Sequence, residues 1–228
     1  MREFLIAILL CFSLGSGALA ADEGVKSFSY ESMVEQIGPS GKAATPPSAQ
    51  ASSGGPIILI SDSGKNISDM NITLYSAAAD FGPDGLKIGE VVHFTAPTPE
   101  WILKSIVIMG WAGFNTTTGH FPQDRNFLIE VRDKAGDLLY KFADAQNFYF
   151  TSAEGPVLYK MDIPPLQVPR DFYVIFYDRG AMFIGAEMGN GTNNSYLIIN
   201  GQLVPAETLV AETNETVKLN WLIRAIGE

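Results

Sequence analysis

The 228-residue chain has a single cysteine, Cys11, and therefore cannot form a disulfide within itself. A domain without disulfides depends on its hydrophobic core for stability. Histidine is also scarce, since His93 and His120 are the only two. Zinc sites are built mainly from cysteine and histidine, so a zinc site here would need carboxylates to complete it. We expect His93 to be a strand residue with a satisfied ring and His120 to lie in a solvated loop.

Positive charge is in short supply. The chain has 15 Lys and Arg against 25 Asp and Glu, which gives a formal net charge of −10 at pH 7. Such a balance argues against binding to nucleic acid or to an anionic membrane surface. We therefore expect no nucleic-acid partner, and contact with a membrane only through an uncleaved N-terminal segment.

Long apolar runs are missing after the first 20 residues. Residues 1–20 combine Arg2, the apolar stretch "FLIAILLCFS" and the small residues "ALA", which predicts a cleaved signal peptide. The alternative is an uncleaved anchor, although the apolar stretch is short of the ~20 residues that a span needs. The expected location is thus outside the cell or on its surface.

Residues 21–56 read as a flexible leader. Its second part, 38–56, consists almost entirely of Gly, Pro, Ser, Ala and Thr, which cannot bury enough apolar surface to order itself. A short helix over 29–37, capped by Ser29 or Ser32, is predicted before it. The folded domain is predicted to cover 57–228.

From residue 57 onward, short runs rich in Val, Ile, Phe and Tyr alternate with Gly, Pro, Asn and Asp clusters. This pattern predicts an all-β fold, an antiparallel β-sandwich of jelly-roll type with ten to twelve short strands. The predicted strands cover 57–61, 72–76, 90–95, 103–112, 127–133, 138–143, 147–151, 157–163, 172–178, 182–187, 196–200 and 217–226.

Two of these segments carry clear local signals. In "VKLNWLIRAI", alternate residues from Val217 to Ala225 are apolar, with Leu222 as the exception on the other face. That period of two predicts a strand with one buried face, and it places Trp221 in the core. We expect Trp101 to be a core residue too. "RDKAGDLLY" predicts a hairpin whose turn contains Ala135 and Gly136.

Six N-x-S/T triplets occur, more than the composition alone would give. They predict a surface that is N-glycosylated outside the cell, and they begin at Asn66, Asn71, Asn115, Asn190, Asn193 and Asn214. The alternative is that Asn, Ser and Thr all favour turns, which inflates the count. Many acceptor triplets without cysteine would suit an archaeal cell surface.

The segments "GEVVHFTAPTPEWILKSIVIMGW", "FLIEVRDKAGDLLYK", "PRDFYVIFY" and "NWLIRAI" resemble those of uncharacterised secreted prokaryotic β-sandwich domains. The resemblance spans residues 74–227, and in layout the chain is similar to jelly-roll carbohydrate-binding modules. What matches is strand patterning, so the resemblance implies a fold and carries no site residue over to this chain.

No catalytic constellation stands out, so we expect no enzymatic activity. There is no G-x-S-x-G motif for a serine nucleophile, and no glycine-rich phosphate loop between a strand and a helix. A glycoside hydrolase would need two carboxylates across a cleft. Its candidates are Glu90, Glu130, Glu154 and Glu187, which sequence spacing cannot pair.

Calcium is the one cofactor left open. The segment "SDSGKNISDMN" offers Asp62 and Asp69 among other oxygen-bearing residues, and calcium takes six to eight hard oxygen ligands. The alternative is a turn-rich loop whose side chains bond to their own backbone. Asp133 and Asp137 are expected only to form the hairpin tip.

Tyrosines give the single hint of a ligand. Tyr173 and Tyr177 alternate with apolar residues in one strand, and Tyr149 lies in another aromatic run. Tyrosine rings on one sheet face could stack against sugar rings, although tyrosine is also a common strand residue. The leading hypothesis is therefore a non-enzymatic module that binds extracellular polysaccharide or another envelope component. The alternatives are a structural or adhesion protein that contacts envelope proteins, and a glycoside hydrolase.

Overall fold

The computed structural model describes residues 55–77, 87–123, 125–144, 149–180, 182–189, 191–210 and 213–228. The predicted signal peptide, the predicted helix at 29–37 and nearly all of the predicted leader lie outside these residues. Within the described part, no helix has the length and apolar character needed to cross a membrane.

Fourteen strands and one short 3-10 helix, Ile67–Asp69, make up the described part of the domain. The strands are β1 Ile57–Ile60, β2 Ile72–Tyr75, β3 Ile88–Thr95, β4 Ile102–Trp111, β5 Arg125–Asp133, β6 Leu138–Asp144, β7 Val157–Gln167, β8 Asp171–Gly180, β9 Phe183–Met188, β10 Ser195–Ile199, β11 Gln202–Pro205, β12 Glu207–Val210, β13 Glu215–Trp221 and β14 Ile223–Gly227.

The strands form two packed antiparallel sheets, which confirms the predicted β-sandwich. The first sheet has eight strands in the order β1-β14-β4-β9-β13-β12, with β2 beside β9 and β7 beside β4. The second has six strands in the order β11-β10-β3-β8-β5-β6. Because β1 pairs with β14 and sets Ile57 opposite Gly227, the chain before residue 57 meets the domain at one edge strand of the first sheet.

The core lies between the sheets and follows from alternation along each strand. On β8, Phe172, Val174 and Phe176 point inward and are fully buried, while the residues between them face away from the first sheet. On the opposite sheet Trp221 is also fully buried, as predicted. Its indole Nε1–H donates to the backbone oxygen of Tyr196 at 2.8 Å, so the buried N–H group still has a hydrogen-bond partner.

The fourteen strands exceed the predicted ten to twelve for identifiable reasons. The chain after β10 turns back immediately, so two short strands, β11 and β12, were missed. The predicted strand at 147–151 is wrong where the structure describes it, since Tyr149 and Phe150 form a turn. Phe150 has a φ of 60° and is fully buried. The Phe150 ring lies against Gly110, where an added Cβ would come within 2.7 Å of the ring. The apolar run that suggested a strand therefore reflects packing of Phe150 into the core.

Leu222 explains the break in the last predicted strand. The alternation from Leu219 to Ala225 is confirmed, but the segment divides into β13 and β14 at Leu222. Leu222 is fully buried on the outer side of the eight-stranded sheet, against Met109 and two residues of the 61–71 loop, Ile67 and Met70. The exception in the alternating pattern therefore marks a second, smaller apolar cluster beneath that loop.

The hairpin between β5 and β6 forms as predicted. Gly136 has a φ of 91°, which an L-residue adopts only with strain, and its N–H donates to the backbone oxygen of Asp133 at 3.0 Å. Asp133 and Asp137 lie at the hairpin tip, where the Asp133 carboxylate accepts the N–H of Asp137 at 2.9 Å.

We expect Trp221→Ala to lower the free energy of unfolding by about 3–5 kcal/mol, because it leaves a large cavity between the sheets. Leu203→Ala is the matched control, since Leu203 is 42% exposed and should change stability by roughly 0.5 kcal/mol or less. Denaturant unfolding monitored by far-ultraviolet circular dichroism measures both. Equal losses in the two variants would contradict the assignment of Trp221 to the core.

Candidate functional site

The outer face of the six-stranded sheet brings together aromatic residues from three adjacent strands. Tyr173 and Tyr177 of β8 lie on this face, since the alternate residues of β8 point into the core. Register places His93 of β3 directly beside Tyr173, and Tyr196 of β10 beside Val91 of β3. We call this surface, with Tyr173, Tyr177, Tyr196 and His93, the tyrosine face.

Aliphatic residues form the floor of the tyrosine face. Val91, Leu128 and Ile175 are almost fully buried although they do not belong to the core cluster between the sheets. Their burial on an outer face means that larger neighbouring side chains shield them, and the half-buried tyrosines stand among them. The face is therefore a layer of aromatic rings over an apolar floor.

Tyr177 is held in place by a glycine on the neighbouring strand. A Cβ added to Gly89 of β3 would lie 2.8 Å from two ring carbons of Tyr177 and 2.9 Å from Ile175. The ring thus rests directly on the β3 backbone, a close approach that only glycine allows. This support limits the rotamers of Tyr177 and presents its ring in a fixed orientation.

Tyr173 lies in a polar corner of the same face. Its ring centroid is 5.1 Å from that of His93, and His93 Nε2 lies 3.3 Å from Oδ1 of Asp171. Burial raises the pKa of the Tyr173 hydroxyl, and nearby Tyr196 and Asp171 raise it further. The hydroxyl therefore keeps its proton at neutral pH and can donate a hydrogen bond.

Charged side chains contact one another near the middle of the tyrosine face. Glu130 of β5 is only 6% exposed, and its Oε2 accepts from Arg132 Nε at 2.8 Å. Lys141 Nζ lies 3.9 Å from the other carboxylate oxygen, and the Tyr177 hydroxyl lies 3.4 Å from Oε2. The charge-assisted hydrogen bond from Arg132 offsets part of the desolvation cost of burying this carboxylate beside apolar residues.

Tyr149 lies apart from the other two predicted ligand-binding tyrosines. It packs edge-on against Tyr159 at 4.8 Å and Phe127 at 5.8 Å, near the edges of β6 and β7. The cavity beside it has a volume of about 10 Å³, room for one water molecule at most. The structure thus gathers Tyr173 and Tyr177 on one face and sets Tyr149 at a different edge, where the cavity is too small for a sugar ring.

The 61–71 loop, predicted as a calcium candidate, covers the outer face of the eight-stranded sheet. Its Asp62 has a fully buried side chain and makes a double contact with Arg224, at 2.8 Å to Nε and 3.2 Å to NH2. Asp69 is exposed. A carboxylate already neutralised by arginine is a poor cation ligand. In the described ranges, no group of three or more His, Cys, Asp or Glu is placed to hold a metal.

A second contact holds the same loop to the sheet. Glu187 of β9 is fully buried, and its Oε2 accepts the backbone N–H of Ser63 at 2.9 Å and Nδ2 of Asn220 at 3.1 Å. The backbone N–H of Thr192 donates to Oδ1 of the same Asn220. The polar groups of this loop therefore serve packing, which explains why the sequence shows so many oxygen-bearing residues there.

Two carboxylates lie buried between the sheets at one end of the core. Glu90 of β3 and Asp178 of β8 both have no exposed surface. Burial raises the pKa of Glu90 well above its ordinary value, and the negative charge of Asp178 raises it further. Asp178 accepts a hydrogen bond from the Ser76 hydroxyl at 2.5 Å. In the described part of the chain, Glu90 makes no hydrogen bond to another side chain.

The four glutamates considered for glycoside hydrolysis occupy four different environments. Glu90 is inside the core, Glu130 is on the tyrosine face, Glu187 is under the 61–71 loop, and Glu154 is exposed in a turn. They lie on β3, on β5, on β9 and in the turn before β7. The carboxylate next to Glu90 is Asp178, which the sequence did not suggest.

Sequence reasoning missed part of the tyrosine face. Tyr196 and His93 join it only because β10 and β8 flank β3, a pairing between distant parts of the chain. Of the six predicted glycan acceptors, Asn190 lies outside the described residues. The other five are exposed: Asn66, Asn71, Asn115, Asn193 and Asn214.

No protein-family model matches the chain, and a search of the curated proteins finds no match.

We expect Asp62→Ala to lower the free energy of unfolding by about 3–5 kcal/mol, because it leaves the buried guanidinium of Arg224 without its partner. Lys104→Ala, which breaks the exposed pair with Glu228, should cost about 1 kcal/mol or less. Denaturant unfolding at one pH compares the two. A similar, small cost for both would show that the Asp62–Arg224 pair is not buried in solution.

We expect Glu90→Gln to stabilise the domain at neutral pH. The folded-state pKa of Glu90 lies above its ordinary value of 4.5, so its contribution to stability is present below that value. It is lost as the pH rises through the folded-state pKa, because the unfolded chain ionises first. The stability gained by the variant should therefore grow as the pH rises above about 4.5.

Thermal unfolding of Glu90→Gln and wild type between pH 4 and pH 8 measures this effect. Glu154→Gln, which changes an exposed carboxylate, is the control and should track wild type at every pH. A gap between Glu90→Gln and wild type that stays constant with pH would mean that Glu90 does not titrate abnormally.

Proposed function

We propose that this protein is a non-enzymatic binding module that acts outside the cell and holds carbohydrate on the tyrosine face. The observation that carries the proposal is the convergence of Tyr173, Tyr177, Tyr196 and His93 on one face of one sheet. The signal-like N-terminal segment and the exposed glycan acceptors support an extracellular location.

The chemistry of the face suits a sugar. A pyranose ring has apolar C–H faces and polar edges, and a tyrosine ring offers a flat apolar surface with a polar tip. Tyr173 and Tyr177 are four residues apart on β8, which separates their Cα atoms by about 13 Å. A glycan chain of several units could therefore contact both rings at once.

Polar groups around the rings could receive the hydroxyl groups of a sugar. Arg132 and Lys141 carry hydrogen-bond donors near the centre of the face, and Asp171 and His93 lie at its corner. Ligand sites combine apolar surface with a few placed polar groups in this way. Because Tyr177 is already fixed over Gly89, ordering its ring on binding costs little.

The same face also supports a second candidate function, contact with another envelope protein. Leu203 and Leu138, 42% and 48% exposed, lie at its two edge strands, β11 and β6. Exposed aliphatic side chains beside tyrosine are typical of protein interfaces as well. A structural or adhesion role is thus the alternative to carbohydrate binding.

A screen of the purified protein against a polysaccharide array, with and without calcium, tests the proposal. Binding to a glycan supports it, and calcium dependence would assign a role to the 61–71 loop. A folded sample that binds no glycan would contradict carbohydrate binding and favour contact with an envelope protein.

For a glycan that binds, we expect Tyr173→Ala and Tyr177→Ala each to raise the Kd by about 5- to 30-fold, the equivalent of about 1–2 kcal/mol. Tyr159→Ala is the control, because Tyr159 is 38% exposed on β7, away from the tyrosine face. Isothermal titration calorimetry measures all three, after the unfolding midpoint has shown that each variant is folded. Loss of binding in Tyr159→Ala alone would move the site to the β6–β7 edge beside Tyr149.

A further inference from the structure

The five described glycan acceptors are distributed unevenly over the domain. Asn66 and Asn71 belong to the 61–71 loop, which covers the outer face of the eight-stranded sheet. That loop is fastened by the Asp62–Arg224 pair and by the small apolar cluster around Leu222. A sugar on either asparagine would therefore extend from the side of the sandwich opposite the tyrosine face.

Two further acceptors lie at turns that follow strands of the eight-stranded sheet. Asn214 is in the turn between β12 and β13, with a φ of 54°. Asn115 follows β4, and its side-chain Oδ1 accepts the N–H groups of Thr117 and Thr118 at 2.9 and 3.0 Å. A glycan is attached through Nδ2, so the oxygen of Asn115 could keep both hydrogen bonds after modification.

Among the described acceptors, Asn193 contacts the tyrosine face, since its backbone oxygen accepts from the Tyr196 hydroxyl at 2.9 Å. The Asn193 side chain, however, points toward β13. The amide oxygen of Asn193 accepts from Nζ of Lys218, a residue of β13 in the eight-stranded sheet. The side-chain amide that would carry the sugar is therefore held at the eight-stranded sheet.

The two hairpin turns within the six-stranded sheet, β5–β6 and β10–β11, carry no acceptor triplet. The β5–β6 turn has Asp133, and the β10–β11 turn has Asn200-Gly201-Gln202, which lacks the hydroxyl residue that a triplet needs. Asn200 is exposed and has a φ of 51°, much like the acceptor Asn214. The difference between these two turn asparagines is thus chemical, a glutamine in place of serine or threonine.

We infer that the domain is N-glycosylated at Asn66, Asn71, Asn115, Asn193 and Asn214, and that this pattern leaves the tyrosine face free for its ligand. An attached glycan is bulky and hydrated and blocks the surface beneath it. Of these five positions, Asn66 and Asn71 lie in the loop over the eight-stranded sheet, Asn214 lies in one of its turns, and Asn115 and Asn193 lie in connections that leave it for the six-stranded sheet. The part of the inference that concerns the ligand rests on the proposed function, whereas the modification sites do not.

Glycopeptide mass spectrometry of the protein from its native source tests the modification sites. The expected result is a glycan on each of the five asparagines. Unmodified asparagines at these positions would overturn the inference, and they would do so whether or not the protein binds a polysaccharide.

Gln202→Thr tests the free face by turning Asn200 into an acceptor at the edge of the tyrosine face. We expect the variant, made in a host that N-glycosylates secreted proteins, to gain one glycan and to bind the array-identified polysaccharide at least about tenfold more weakly. The matched control is Gln202→Thr combined with Asn200→Gln, which has the same threonine but no acceptor and should bind as wild type does.

A second engineered acceptor at the opposite edge, Asp133→Asn with Ala135→Thr, keeps the test decisive if Asn200 is modified poorly. Its control is Ala135→Thr alone. Full binding by a variant that carries the added glycan would overturn the inference that this face must stay bare. If the wild-type protein binds no polysaccharide, the proposed function is contradicted. The five modification sites would still be judged by the mass spectrometry alone.

Discussion

The packing of the two sheets against each other holds this domain together, because a chain with a single cysteine has no internal disulfide to support it. The inner faces supply large, fully buried side chains, among them Trp101, Trp221 and Phe176. Since each strand alternates sides, filling the space between the sheets fixes which residues appear outside. The placement of Tyr173 and Tyr177 on one outer face is therefore a consequence of the burial of Phe172 and Phe176.

A loop covers the outer face of the eight-stranded sheet, whereas tyrosine side chains cover that of the six-stranded sheet. Pairs of polar or charged groups stabilise both arrangements. On the eight-stranded sheet, Arg224 and Glu187 hold the 61–71 loop down over the strands. On the six-stranded sheet, the described residues that shield the apolar floor are side chains of the sheet itself, with Glu130 neutralised by Arg132. A loop tied by buried contacts gives a closed surface, whereas a layer of tyrosines leaves groups that can meet a ligand.

Sequence patterns predicted the class of fold and much of the core, since alternation depends only on neighbouring residues. The inward direction of Trp221 followed directly from alternation, and the hairpin at Gly136 followed from the turn residues between two predicted strands. Phe150 misled the strand prediction because its burial is decided by Gly110, forty residues earlier in the chain. The candidate site was only half predictable for a similar reason. Tyr173 and Tyr177 share a strand, but Tyr196, His93 and the Glu90–Asp178 pair depend on which strands become neighbours.

The attachment of β1 at the edge of the eight-stranded sheet has a mechanical consequence. β1 pairs with β14 from Ile57 opposite Gly227 to Ile60 opposite Arg224, and the Asp62–Arg224 pair lies just beyond its far end. Suppose that a force pulls on the residues before Ile57, away from the sheet. The backbone hydrogen bonds between β1 and β14 would then break one after another, starting at Ile57. The buried ion pair would bear the load next, so a contact that fixes the loop in the resting domain would also resist peeling under tension.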